Sequence, residues 1–374
     1  MAYSWIAAAL RDGHVIAPLP NLTCEKVGVR ICNYQTATGS LPVGGVGVDA
    51  PPVDWLLATL HGGAVLVLVD DPGDGTLPVP VWGGYVTKRT RTTGDTVALS
   101  VSTLEAYLDA RYVGDVTFTA TDQNTIVSSL VGSYVNDGTI DIRVQVVGAA
   151  GVARDKTYKS TDNKSVLSAL TELAGVIGGP EWTIGWEWQH SPERLTPVLY
   201  VGTRLGTAAT SGLMPSATFE VPGSIISAQY DEDYSAGRGA NSVIASSSAS
   251  TTTQPSSPPQ TYTDPSRPTF EYRFTPSTSI SDTATLTAHA QSALAQMEQG
   301  SRSLIMTAAV EAAPRLGRDW TLGDDIGYVI GGLDQYGKDT VPAFPGGVGG
   351  VARALGWDLT ISGMQTVTPI LGGI

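Results

Sequence analysis

Residues 80–130 constrain the fold more than any other stretch of this chain. They open with Pro80, Val81, Trp82, Gly83, Gly84, Tyr85 and Val86, pass a basic turn holding Lys88, Arg89, Arg91, Gly94 and Asp95, and continue as VALSV over 97–101. Tyr107, Leu108 and Arg111 then close the segment before Thr121 and Asp122 open a helix. Tyr85, Val97, Leu99 and Val101 have the period of two that lines one face of a sheet, and the glycine pair beside Trp82 suits a bulge or a close backbone approach. The pattern is that of a scaffold, which catalysis does not require.

At 374 residues the chain has room for about two to three domains of about 150 residues, each with its own core. Charged residues make up only 15%, well below the usual quarter, while 43 glycines and 23 prolines supply turns, so sheets with short connections are favoured over helical bundles. The net charge of -13 repels phosphate and anionic lipid over screening distances of about 8 Å, which argues against tight nucleic-acid binding. Cys24 and Cys32 stand eight apart in what reads as one hairpin, a spacing that favours buried free thiols over a bridge or a zinc site. The apolar stretch 5–10 is too short for a signal sequence or a membrane span, and no later run reaches about 18 apolar residues, so a soluble protein without stable membrane insertion is expected.

Three blocks follow from the periodicity. Short apolar runs at 27–32, 55–60, 64–69, 80–86 and 97–101, separated by turn clusters, predict an antiparallel barrel or sandwich over 1–115. Over 116–205 the texture becomes α+β. One helix is capped by Thr121 or Asp122 and carries Ile126, Leu130, Val131 and Tyr134 on one face; a second starts after Thr161 or Asp162 and carries Val166, Leu167, Leu170 and Leu173. Strands are expected at 141–147, 182–188 and 198–201. Strands resume over 206–374, interrupted by a polar, Pro-rich loop at 246–265, expected to be mobile, and by a helix at 281–299 with Ser281 as its N-cap and Gly300 at its stop.

The chemistry-bearing residues form no constellation. His14, His61, His190 and His289 are isolated, with no spacing that sets two metal ligands on one helix face. No nucleophile elbow, Walker loop or dinucleotide fingerprint occurs, and Gly44, Gly45 and Gly47 read as a turn. Carboxylates cluster at Asp70, Asp71 and Asp74, at Asp231, Glu232 and Asp233, and at Asp324 and Asp325; solvated turns are favoured over a calcium site or a glycosidase pair. Trp182, Trp186 and Trp188 share one strand face with Ile184, a spacing that packs a helix or stacks a sugar, and the apolar helix just upstream favours packing. No cofactor and no enzymatic activity are expected.

The order of these pieces resembles the minor tail proteins of long-tailed actinobacterial phages, related to the baseplate or tail-tip hub. The matching residues are Asp12, Gly13, Leu19 and Pro20, then Trp55, Asp70 and Asp71, Trp82 and Gly83, Tyr107, Leu108 and Arg111, and Asp122 with Gln123. Pro180, Glu181 and Trp182, then Phe219 to Gly223, and Trp320 with Leu322, Gly323 and Asp324 continue the likeness. The resemblance implies a mainly β protein with α+β: two tail-tube-like β-barrels with an α+β domain between. Three copies would close a ring that matches a sixfold tube to a threefold tip. It further implies a distal tail or tube protein, tip or fibre proteins and a tape measure protein as neighbours, a virion location after assembly in the host cytoplasm, and a channel that DNA crosses without specific binding. Trp82, Gly83, Tyr107, Arg111, Asp122, Trp182, Trp320 and Asp324 are then expected in structural or interface roles. The alternative is a receptor- or carbohydrate-binding tail protein that uses Trp182, Trp186 and Trp188.

Overall fold

A computed structural model describes residues 2–44, 54–176, 178–210, 214–248, 254–276, 278 and 280–372. The chain forms two compact units, Met1–Ser227 with Met306–Gly373, and Ala228–Ile305. The glycine turn at Gly45 and Gly47 lies outside the described residues, as does the centre of the polar loop at 249–253.

The first unit contains a seven-stranded antiparallel sheet in the order Val15–Pro18, Ala2–Ala9, Ala64–Asp71, Val79–Arg91, Thr96–Thr103, Thr36–Pro42 and Thr23–Cys24. Its two edge strands are neighbours in the chain, joined by a turn in which the Leu22 amide donates to the Leu19 carbonyl at 3.1 Å. Seven flat strands at about 4.8 Å spacing would hold those edges about 29 Å apart, whereas five chain steps reach at most about 18 Å. The sheet must therefore curl toward a barrel. Its interior strand Ala64–Asp71 is buried on both faces: Val65, Val67 and Val69 enter a core shared with Ile126, Leu130, Leu170 and Trp182, while Leu66 and Leu68 are buried on the other side. Opposite it, Leu68 pairs with Trp82 and Val69 with Pro80, so Val81 is the extra residue of a bulge.

A second seven-stranded sheet runs in the order Thr218–Val221, Asp325–Ile330, Val348–Thr360, Thr366–Gly372, Ser301–Ala309 and Ile225–Asp233, with Lys26–Arg30 added to Val348–Thr360. Between the two sheets in sequence lies the α+β block. Here Arg143–Val147, Glu193–Gly202 and Glu181–His190 form a three-stranded sheet backed by the helices Gln123–Tyr134 and Val166–Ala174. Asp122 caps the first helix by accepting from the amides of Asn124 and Thr125. The fold is thus mainly β with α+β, two barrel-type sheets enclosing a mixed segment in sequence.

In the second unit, Gln260–Thr261, Ser242–Ala245 and Glu271–Phe274 form a small sheet under the helix Thr283–Met297. Leu286, Ala290, Leu294 and Met297 face that sheet's Val243 and Ala245. The helix stops at Gly300, whose φ of +79° is the left-handed region that glycine enters without strain.

Several expectations need correction. Residues 55–60 are not a strand: Asp54 accepts the amides of Leu57 and Ala58, closing the one-turn helix Trp55–Ala58, and an apolar run that short cannot distinguish the two periods. Cys24 and Cys32 share no hairpin, because Thr23–Cys24 pairs with Thr36–Pro42 while Lys26–Arg30 crosses to Val348–Thr360. Both thiols are free. The second helix does start after Thr161 and Asp162, but not directly: a 3₁₀ turn ends on Asn163, at φ +47°, and Ser165 caps the helix Val166–Ala174 through the Ser168 amide. Asp282, not Ser281, caps the long helix by accepting from the Thr285 amide. Lys88, Arg89 and Arg91 belong to the strand Val79–Arg91 rather than to the turn after it. The described ends of the polar loop are tied down, with Ser247 and Ser257 buried and the Ala245 amide donating to Ser257 Oγ at 3.1 Å.

Candidate functional site

The residues with the most demanding local chemistry lie at the seam where Lys26–Arg30 leaves the first sheet for the second. Only Glu25 separates the two pairings. Gly28 permits the crossing, since a Cβ there would lie 2.5 Å from Asp358 Oδ1 and 2.8 Å from the Trp357 carbonyl. The Gly28 carbonyl accepts from the buried indole of Trp82 at 3.0 Å, and Trp82 meets Trp5 edge to face, with centroids 5.8 Å apart. Arg30 donates to the Trp357 carbonyl (2.8 Å) and to Asp358 Oδ1 (2.7 Å), while Lys26 reaches Asp358 Oδ2 at 2.6 Å.

Three further ties join segments far apart in sequence. Arg353 holds Glu181 with both terminal nitrogens (2.6 and 2.5 Å), and Glu181 also accepts from the Leu205 amide at 2.7 Å. Asp70 is buried and receives Arg315 at 2.6 Å and Arg318 at 3.2 Å. Burial together with the Asp70 charge pushes the nearby Tyr3 phenol up to about 12. Asp324 accepts from the amides of Thr207 (2.6 Å) and Thr321 (2.8 Å), and Asp325 from the Ala209 amide (2.8 Å) and Arg204 (2.5 Å). Two of the three carboxylate clusters therefore contain braces instead of wholly solvated turns; apart from Thr321, the chain brings their partners from more than 100 residues away. Asp231 and Asp233 remain exposed.

Glu105 is fully buried on the 3₁₀ helix Leu104–Ala110, where its Oε1 accepts from the Ile184 amide (2.8 Å) and Thr183 Oγ1 (3.2 Å). Burial raises its carboxyl above the ordinary range. Cys32 packs beside this strand, its amide donating to the Trp182 carbonyl at 2.9 Å, and burial pushes its thiol up to about 11. Against the same strand lies Gly83: a Cβ at that position would stand 2.2 Å from Trp186 Nε1. The glycine pair thus makes a close approach as well as flanking a bulge.

The other expected residues lie in separate places. Tyr107 stacks edge to face on Tyr85 (6.4 Å), Arg111 donates to the Tyr134 carbonyl (2.8 Å) and pairs with Asp137 (2.9 Å), and Trp320 meets Phe219 at 5.8 Å within the second sheet's core. Trp182 and Trp186 are buried and Trp188 is half-buried, all three in the core with the helices. That burial removes the tryptophan face as a sugar platform. Sequence reasoning passed over Gly28, Arg30, Glu105, Arg315, Arg353 and Asp358; the unusual Gly28 within an apolar strand was the one local signal.

Beside the seam opens a cavity of about 530 Å³ whose walls include Val79, Val81, Trp186, Leu316, Leu322 and Trp357. Among the described residues, no three His, Cys, Asp or Glu side chains converge as metal ligands, and no helix is long and apolar enough to cross a membrane. The seam's polar groups are engaged with one another, an arrangement suited to fixing backbone segments in place.

No protein-family model matches the sequence, and no curated protein matches it significantly. The structure is similar to the 43 kDa tail protein of prophage MuSo2 from Shewanella oneidensis, with a TM-score of 0.54 and 13% identity over 99% of this chain and 98% of that one. It is equally similar to a tail protein from Neisseria meningitidis, with a TM-score of 0.54 and 15% identity over 100% and 97% of the two chains. A chain of the Francisella PdpA–VgrG complex matches at a TM-score of 0.52 and 8% identity, over 99% of this chain and 57% of that one. The chain has the fold of these proteins.

Proposed function

We propose that the chain is a structural component of a phage tail, placed at the tail tip as a hub. The observation that carries this reading is the end-to-end extent of the likeness: the two tail proteins are matched over 98% and 97% of their own lengths, both sheets and the intervening block included. The seam supports a passive role, because its charged side chains are committed to holding the two sheets to each other and to the α+β block. The resemblance read from the sequence extends the proposal to a long-tailed actinobacterial phage and a non-enzymatic part. The chain is proposed to be divided as 1–115, 116–205 and 206–374, with two barrel-type domains about an α+β domain.

Three copies close a ring in this reading, so that six barrel-type sheets face a sixfold tube while the ring keeps the threefold symmetry of the tip. Its neighbours are a distal tail or tube protein, tip or fibre proteins and the tape measure protein. With a net charge of -13, acidic groups along the channel repel the phosphate backbone and let DNA pass without sticking. Electron microscopy of tails carrying an antibody or gold label on this chain tests the placement. Label at the end of the tail distal to the head is the expected result, and label along the tube or on the capsid would overturn it. Reversing the channel acids should slow DNA release while leaving particles intact.

A further inference from the structure

The strand Val79–Arg91 carries different surfaces at its two ends, about 40 Å apart at about 3.3 Å per residue. At the C-terminal end Arg89 donates to the Leu56 carbonyl (2.6 Å) and to Thr59 Oγ1 (3.1 Å), which fixes the one-turn helix Trp55–Ala58 there. Leu56, Leu57 and Leu60 project from this turn 49%, 48% and 37% exposed. Lys88 and Arg91 are exposed on the same strand end, and neither has an ion-pair partner among the described residues. Asp54 and Asp95 also lie at this end, where the three cations outnumber them.

The N-terminal end has the opposite character. The turn that leads into it holds Asp71 and Asp74, whose carboxylates accept only from the neighbouring Gly73 and Thr76 among the described residues. Leu77 follows, 66% exposed. Next to it the strand enters the wall of the cavity of about 530 Å³, mostly apolar and including the buried Trp186, whose indole N–H has no acceptor among the described residues. Arg315 and Arg318 also stand at this end, but both pair with the buried Asp70 and Arg318 donates to the Leu77 carbonyl at 2.7 Å, which leaves Asp71 and Asp74 as the exposed charges beside the hollow. Cations with an apolar knob thus stand at one end, and a net acidic rim with an apolar hollow at the other.

We propose that the occupant of the hollow is a second copy of this chain, which seats Leu56, Leu57 and Leu60 in it and sets Lys88 and Arg91 against Asp71 and Asp74. Unlike ends attract, and a twofold contact would pair them reciprocally and stop at two copies, whereas one unlike-end contact repeated head to tail around an axis closes a ring. The inference rests on the ring reading above and names the contact that builds it. The knob supplies the apolar area; the charges set the register and disfavour stacking in the reverse sense.

Charge reversal with restoration in cis tests this. The full chain is prepared as wild type, as Lys88→Glu/Arg91→Glu, as Asp71→Lys/Asp74→Lys, and with all four changes together. Far-ultraviolet circular dichroism and melting confirm folding, which surface changes of this kind leave intact. Mass and dissociation constant are read by sedimentation over a range of concentrations. Each double variant should weaken assembly by about a hundredfold, since like charges then face each other, and the fourfold variant should recover to within about tenfold of wild type. Assembly of either double variant at wild-type concentration, or failure of the fourfold variant to recover, overturns the contact while leaving the ring. A monomeric wild type overturns both.

Discussion

Substituting Gly83 with alanine should destabilise the chain, against the usual direction for a glycine in a strand. Gly83 has no positive φ that would exclude alanine, so the loss of chain entropy in the unfolded state alone would stabilise the fold by about 0.4–1 kcal/mol. The indole of Trp186 reverses the sign. An added Cβ would lie 2.2, 2.6 and 2.7 Å from Nε1, Cδ1 and Cε2 of that ring, against about 3.5 Å for ordinary contact, and the ring is buried among the core of the α+β block. Overpacking of this kind costs about 1–3 kcal/mol. A net loss of about 1–2 kcal/mol remains, or a fall of about 2–6 °C in melting temperature for a unit of this size. The decisive assay is a double-mutant cycle by thermal denaturation, with Gly83→Ala made in the native chain and in Trp186→Leu. In the leucine background the space is open, so alanine should raise the melting temperature by about 1–3 °C. An equal effect in both backgrounds would refute the contact as the reason for glycine at this position.

Further outcomes follow from the seam and its surroundings. Glu105 has its carboxyl raised by burial, so the stability that it contributes is fully present below its ordinary value of 4.5 and is lost as pH rises through the folded value. The melting advantage of Glu105→Gln over wild type should therefore widen as pH climbs from 4 and then level off; a pH-independent difference would contradict a buried ionisable acid. Arg353→Met leaves the Glu181 carboxylate with the Leu205 amide alone and should cost about 1–3 kcal/mol by denaturant unfolding, the pair being about one-fifth exposed, with most of that loss recovered in Arg353→Met/Glu181→Gln. With its thiol near 11, Cys32 should be about 0.1% thiolate at pH 8 and resist iodoacetamide for hours in the native chain while reacting promptly in denaturant. Prompt labelling of the native Cys32 thiol would contradict its burial.

What the sequence makes legible is what repeats locally. The short, wholly apolar run at 64–69, the alternation over 97–101 and the 3–4 spacing of Ile126, Leu130 and Val131 specify strands and helices without reference to anything distant, and all of these elements form. Asp122 could be read as a cap because the acceptor and its amides lie within three residues. The seam was hidden for the opposite reason. Gly28 apart, Lys26–Arg30 has an ordinary strand composition, and its pairing with Gly356–Thr360, more than 300 residues onward, is what shows that it joins two sheets. Asp70 and Asp324 sit among turn residues and read as solvated, yet one is buried by Arg315 and Arg318 and the other by the Thr207 and Thr321 amides. Residues 55–60 failed differently, because six mostly apolar residues fit either period until the Asp54 carbonyl captures two amides.

The mass of the native particle in solution tests the central claim most directly. Native mass spectrometry of the purified full chain at micromolar concentration should give three times 38.9 kDa, held together at moderate ionic strength as a closed ring. A single species at 38.9 kDa under the same conditions would contradict a chain that joins copies of itself around a channel.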